Sequence, residues 1–255
     1  MEDFDMSTDQ LVLLLKTFNL TAMSEIYDEA LKCAEKENWG YRKFLLYLCE
    51  NEYQARNDRK MKRLLSRSRL PDGKNLASLN DKLMPERCRR ILPSLLDGSF
   101  VERAENILAF GLPGRGKSHY LAALGRELIL KHQYEVLFIP TFRLVQELLV
   151  AKQKMRLDKQ LRKYNQFDVI IIDDIGYVQH TREEMEVLFT FLAERYERKS
   201  LMISSNLVFS EWDRIFKDPM TAMAAIDRLV HHSIILEFDG VLSIREQHAK
   251  KSKNT

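Results

Sequence analysis

The 255-residue sequence predicts an α/β fold, a parallel β-sheet covered by helices on both faces and preceded by a small all-helical region. Three observations predict it. From residue 100 onward, short continuous aliphatic runs alternate with helical patterns, as strands buried on both faces of a parallel sheet require. Before residue 70, apolar residues recur only at helical spacing. Between the first aliphatic run and the first helix that follows it stands a glycine-rich octapeptide, "GLPGRGKS".

Taken in order, the N-terminal helices show as Leu11, Leu14 and Leu15, then Ala22, Ile26, Tyr27 and Ala30, then Phe44, Leu45 and Leu48. Thr8 is a candidate N-cap, and Asn19 and "NWG" at 38–40 punctuate the series. "RLPDGKNLASLN" (69–80) reads as a linker in which Pro71 and Gly73 break a long basic helix. The aliphatic runs are "NILAFG" (106–111), "YEVLFIP" (134–140), "FDVIIID" (167–173), "SLMISSN" (200–206) and "SIILEF" (233–238). Helices are expected between them, among others over 117–131 and 182–198. The expected organisation is a helical domain over 1–70, a linker and approach helix over 71–99, the α/β core over 100–248 and a basic tail over 249–255.

Hydrophobic residues make up 45% of the chain and charged residues 30%, an ordinary globular composition. Apolar runs such as "LVLLL" (11–15) are far too short to span a bilayer, and the acidic start "MEDFDMS" is unlike a secretory signal. Cys33, Cys49 and Cys88 have no metal-type spacing and cannot all pair, so a cytoplasmic location with no membrane partner is expected. The net charge of +3 conceals two basic windows. Residues 56–69 carry seven basic groups against Asp58, and 152–163 carry six against Asp158. A solvated helix face explains either window alone. Two in one chain point to a polyanion, with Arg56, Arg59, Lys60, Lys62, Arg63, Arg67, Lys152, Lys154 and Arg156 as candidate contacts to double-stranded DNA.

"GLPGRGKS" has the residue types that phosphate binding needs. Gly111, Gly114 and Gly116 permit backbone conformations that turn several N–H groups towards one anion, and the next helix adds its positive end. Lys117 would reach the β- and γ-phosphates, and Ser118 would offer a hydroxyl to Mg²⁺. Leu112, Pro113, Arg115 and His119 complete the expected ATP-contacting stretch. In "DVIIIDDIGY" (168–177), a strand ending at Asp173 beside this loop supplies a carboxylate for Mg²⁺. Asp174 would then orient or deprotonate the attacking water, or else cap the following turn. Asn206, ending the next strand, could hydrogen-bond the γ-phosphate and that water, and Arg228 offers a permanently charged fork before the last strand. The adjacent His231 and His232 are expected to point apart and to make poor co-ligands for a metal.

"NILAFGLPGRGKSHYLAALG", "DVIIIDDIGY", "ISSNLVFSEWDRIF" and "DRLVHHSIILEF" together resemble the IstB-like family, ATP-dependent helpers of insertion-sequence transposases, over roughly residues 10–248. The family stands in the branch of AAA+ proteins that holds the DnaC-type helicase loaders. The resemblance implies an AAA+ P-loop NTPase core with a helical N-terminal region and little or no C-terminal lid. It casts Gly111 to Ser118 as the Walker A loop, Asp173 and Asp174 as Walker B, Asn206 as sensor 1 and Arg228 as an arginine finger. Arg245 stands where a second sensor arginine would be. It further implies ATP and Mg²⁺ as ligands, a homo-oligomer with shared active sites, and a transposase of the same element as partner. A DnaC-like helicase loader and a nucleotide-gated DNA-binding module with negligible turnover remain as alternatives.

Overall fold

The computed structural model describes residues 8–80, 84–176, 181–207 and 229–238. The chain divides into two compact units, Met1–Arg63 and Leu64–Thr255.

The first unit holds helices α1 (Thr8–Thr17) and α2 (Thr21–Lys36) and the part of α3 (Tyr41–Ser68) up to Arg63. Asn19 and Asn38 end the first two helices in the left-handed conformation, at φ 58° and 51°. Asparagine tolerates that region better than other side chains, which is why it punctuates here. Met23, Ala30 and Leu48 form a small core against Leu15, Leu20, Ile26, Tyr27 and Phe44. Leu20 cannot cap α2, so a residue from α3 does. The buried Glu52 accepts hydrogen bonds from the Ala22 and Met23 amides at 2.8 and 3.2 Å. Arg56 and Arg59 hold the same carboxylate at 2.7 and 3.3 Å. Burial pushes its pKa up, but Arg56 and the two amides outweigh that and hold it below the usual carboxylate value.

In the second unit α3 stops at Ser68, before Pro71. Ser68 Oγ donates to Leu65 O and accepts from Leu70 N, and Arg69 turns left-handed at φ 54°. The expected break at Pro71 and Gly73 therefore falls earlier, because the serine satisfies the terminal backbone groups first. A single 3₁₀ turn (Leu76–Ser78) and helices α4 (Glu86–Leu96) and α5 (Ser99–Glu102) lead to the sheet.

The sheet comprises β1 (Asn106–Phe110), β2 (Val136–Pro140), β3 (Val169–Ile175), β4 (Ser200–Ser205) and β5 (Ser233–Glu237). Its order is β2-β3-β4-β1-β5 and every pairing is parallel. On one face Leu108, Ile139, Ile170, Ile172 and Ile203 pack against α7 (Thr141–Gln153), α8 (Leu157–Tyr164) and α9 (Arg182–Arg195). The other face carries α6 (Lys117–His132). At Gly125 an added Cβ would lie 2.6 Å from Ile171 Cδ1, so glycine sets how closely α6 approaches β3.

Arg195, only 1% exposed, donates to the carbonyls of Tyr164, Phe167, Asp168 and Ser200 at 3.1–3.2 Å. It ties the α8–β3 connection to β4, and burial pulls its pKa down to about 9. Helix α9 ends at Arg195 rather than near 198, because Tyr196 leaves helical geometry and Glu197 is left-handed. The rings of His231 and His232 do not point apart. They meet edge to face at 4.9 Å where a helical turn gives way to β5, and His232 Nε2 lies 3.1 Å from Glu197. The expectation of little or no C-terminal lid concerns residues beyond Phe238, outside the described residues. Among the described residues no helix is long and apolar enough to cross a membrane.

Candidate nucleotide site

The loop after β1 is shaped by its glycines. Gly111 (φ 141°) lies against the backbone of Phe238, where a Cβ would come within 3.0 Å of Phe238 O, and Gly116 (φ 92°) enters α6 left-handed. No other residue type fits both requirements at Gly111. The N-terminus of α6 then faces a cleft of about 350 Å³ lined by Pro113 to His119, Asp173, Asp174, Ser204, Asn206 and Lys74.

Lys117, 5% exposed, bends back over its own loop. Its ammonium donates to Gly111 O at 2.5 Å, to Leu112 O at 3.0 Å and to Asn206 Oδ1 at 2.8 Å. The Asn206 amide nitrogen donates in turn to Asp174 Oδ1. One amide just past β4 thus joins the lysine at the start of α6 to the second aspartate on β3, in two hydrogen bonds. The side chain of Leu112 is largely exposed, so this residue enters the site through its carbonyl.

Strand β3 does not end at Asp173 as expected. It continues to Ile175 after a bulge, with Ile172 opposite Ile203 and Ile175 opposite Ser205, so β3 holds one extra residue. Asp174 is that irregularity, at φ 64°. Ser204, fully buried on β4, accounts for it: Oγ accepts from Asp174 N at 2.8 Å and donates to Asp173 Oδ1 at 2.6 Å. Thr141 Oγ1 holds Asp173 O at 3.0 Å. A bulge beside a site re-aims side chains, and here it brings two successive carboxylates to one cleft. An amide-donating loop, a helix N-terminus, an ammonium, the Ser118 hydroxyl and two carboxylates form a donor set that fits a magnesium-bound triphosphate.

Residues 13–252 match the family described as IstB-like ATP binding protein. An insertion sequence ATP-binding protein of Sinorhizobium fredii is 38% identical over 245 residues, spanning 96% of this chain and 82% of that protein. The insertion sequence IS21 ATP-binding protein of Pseudomonas aeruginosa is 36% identical, spanning 91% of this chain and 87% of its own. The chain belongs to the IstB-like ATP-binding family.

Among solved structures, this IstB-like chain is similar to DnaI (TM-score 0.56, 17% identity, 67% of this chain and 95% of that one). It is similar also to the DnaC helicase loader (TM-score 0.51, 17% identity, 69% and 98%). These likenesses establish the AAA+ P-loop fold.

Of the residues expected at the site, the structure gathers the Gly111–His119 loop, Asp173, Asp174 and Asn206. Arg228 and Arg245 lie outside the described residues. Sequence reasoning missed Ser204, Thr141 and Lys74. Ser204 had one signal, since it stands two residues before Asn206 on a strand and so shares its face.

The basic windows are more occupied than their charge suggests. Arg56 and Arg59 pair with Glu52, Arg67 with Glu135 at 3.0 Å and Lys152 with Glu186 at 2.7 Å. Lys60, Lys62, Arg63, Lys154 and Arg156 are exposed. Lys154 and Arg156, with Lys159 and Lys163, line a second cavity of about 860 Å³ between α7 and α8, far more basic than the nucleotide cleft.

Proposed function

We propose that the chain is an ATP-hydrolysing, DNA-binding helper of an insertion-sequence transposase, assembling on target DNA and recruiting or activating the transposase. The observation that carries the hydrolytic part is the chain Lys117–Asn206–Asp174, with Ser204 holding Asp173 beside it. A site that merely held nucleotide would need the loop and the lysine. Placing a carboxylate and an amide at the terminal-phosphate end adds the groups that handle water.

In this reading Ser118 and Asp173 would hold Mg²⁺, which supplies charge neutralisation on the phosphates when bound. Lys117 and the Gly111–His119 backbone bind the polyphosphate. Asp174 accepts a proton from the attacking water at its carboxylate, and Asn206 orients that water while fixing the Asp174 rotamer. Arg228 acts on a neighbouring protomer's nucleotide. Residues 1–70 form the DNA- or partner-binding domain, 71–99 the linker and approach helix, 100–248 the ATPase core and 249–255 a basic tail.

The named relatives are insertion-sequence ATP-binding proteins, and the exposed lysines and arginines of α3 and of the α7–α8 region suit phosphate contacts that do not read sequence. Phosphate release measured with and without duplex DNA tests the reading. DNA-stimulated release supports it, and no release under any condition would leave only a nucleotide-gated binding module.

A further inference from the structure

Lys74 sits in the segment between α3 and α4, 37 residues before the phosphate loop begins at Gly111, yet it lines the same cleft as Lys117, Ser118, Asp173 and Asp174. The segment is held there by specific contacts. Asn75 and Ser78 form a reciprocal capping box around the 3₁₀ turn, with Asn75 Oδ1 accepting from Ser78 N at 2.9 Å and Ser78 Oγ accepting from Asn75 N at 3.0 Å. Ser78 Oγ also shares a 2.7 Å hydrogen bond with His119 Nε2, on the first turn of α6. Leu70, buried against Gly125 of α6, anchors the other end.

Lys74 and His119 both line the cleft. Among the described residues no carboxylate pairs with Lys74, whose ammonium lies 5.8 Å from the Phe138 ring. A half-exposed lysine placed at this cleft without an acid partner has its charge available for an anion.

We propose that Lys74 is a phosphate ligand of the bound nucleotide, delivered in cis by the 73–79 segment and positioned by the Ser78–His119 hydrogen bond. The proposal rests on the reading of the cleft as the nucleotide site. It predicts that binding of the triphosphate depends on a lysine outside the loop motif, and that the dependence is blind to the base.

Titration of the full-length protein with Mg-ATP and with inorganic tripolyphosphate, for Lys74→Met, Lys74→Arg, Ser78→Ala and Lys117→Ala, tests it. Loss of a charge-assisted hydrogen bond should weaken binding of both ligands roughly tenfold or more in Lys74→Met. Lys74→Arg should retain most of the affinity, and Ser78→Ala should lose less than Lys74→Met in the same direction. Wild-type binding by Lys74→Met while Lys117→Ala loses it would overturn the proposal and leave the nucleotide site standing. Weaker ATP binding with unchanged tripolyphosphate binding would also overturn it, by moving Lys74 to the base. Unchanged binding in both lysine variants would overturn the site reading itself.

Discussion

At the scale of the residue, Ser204 decides where two carboxylates go. Its hydroxyl donates to Asp173 and accepts from the Asp174 amide, so one side chain fixes a rotamer and a backbone bulge together. Ser204→Ala would remove the acceptor from the half-buried Asp174 amide, at about 1 kcal/mol, and would free Asp173 to rotate. We expect a lowered melting temperature and a higher Mg²⁺ concentration for half-maximal hydrolysis, with Ser204→Thr recovering both. A shifted melting temperature with unchanged Mg²⁺ dependence would reduce Ser204 to a packing role. The alternation in "LMISSN" puts Ser204 on the face of Asn206 but does not announce the bulge, which exists only through the register between β3 and β4. The glycine loop, by contrast, was legible: its residue types follow from what an anion demands of a backbone, without knowledge of any distant partner.

At the scale of the element, the parallel strands were legible because both faces are buried, so each reads as an unbroken aliphatic run. The helical caps and the accessible charge were not. Glu52 caps α2 from thirty residues away, and Glu52, Glu135 and Glu186 occupy arginines and lysines that charge counting left free. Two predictions follow from those pairs. Glu52 has a lowered pKa, so its contribution is fully present above the ordinary glutamate value of 4.5 and is lost as pH falls through the folded-state value. Protection of the Ala22 and Met23 amides, taken relative to their intrinsic exchange at each pH, should therefore fall on acidification below that value, and Glu52→Gln should show lower protection already at neutral pH. Equal protection in the two proteins would remove Glu52 as the cap. For DNA, neutralising Lys60, Lys62 and Arg63 together should lower the log–log salt slope by up to ~2.7. Adding Arg59 should raise that towards ~3.6 only so far as DNA displaces it from Glu52. An unaltered slope would return α3 to a solvated face and leave Lys154 and Arg156 as the next candidates.

At the scale of the whole molecule, the proposed arginine finger would make hydrolysis depend on assembly, so that ATP would turn over only where protomers meet. Arg228→Ala should bind ATP nearly normally yet hydrolyse roughly a thousandfold more slowly, for want of transition-state charge. Mixed with Asp174→Asn protomers it should recover part of the activity, because some junctions then hold both intact groups. Co-assembly without recovery at any ratio would place Arg228 outside the neighbour's site. Whether the chain turns over ATP at this cleft is tested most directly by Asp174→Asn alone, measuring ATP affinity and DNA-stimulated phosphate release on one preparation. Asparagine keeps an oxygen for the Asn206 amide and loses only the charge that accepts a proton. The expected result is affinity within a few-fold of wild type with turnover lowered roughly 10²- to 10⁴-fold. Turnover equal to wild type, with affinity unchanged, would contradict the assignment of this cleft as the hydrolytic site.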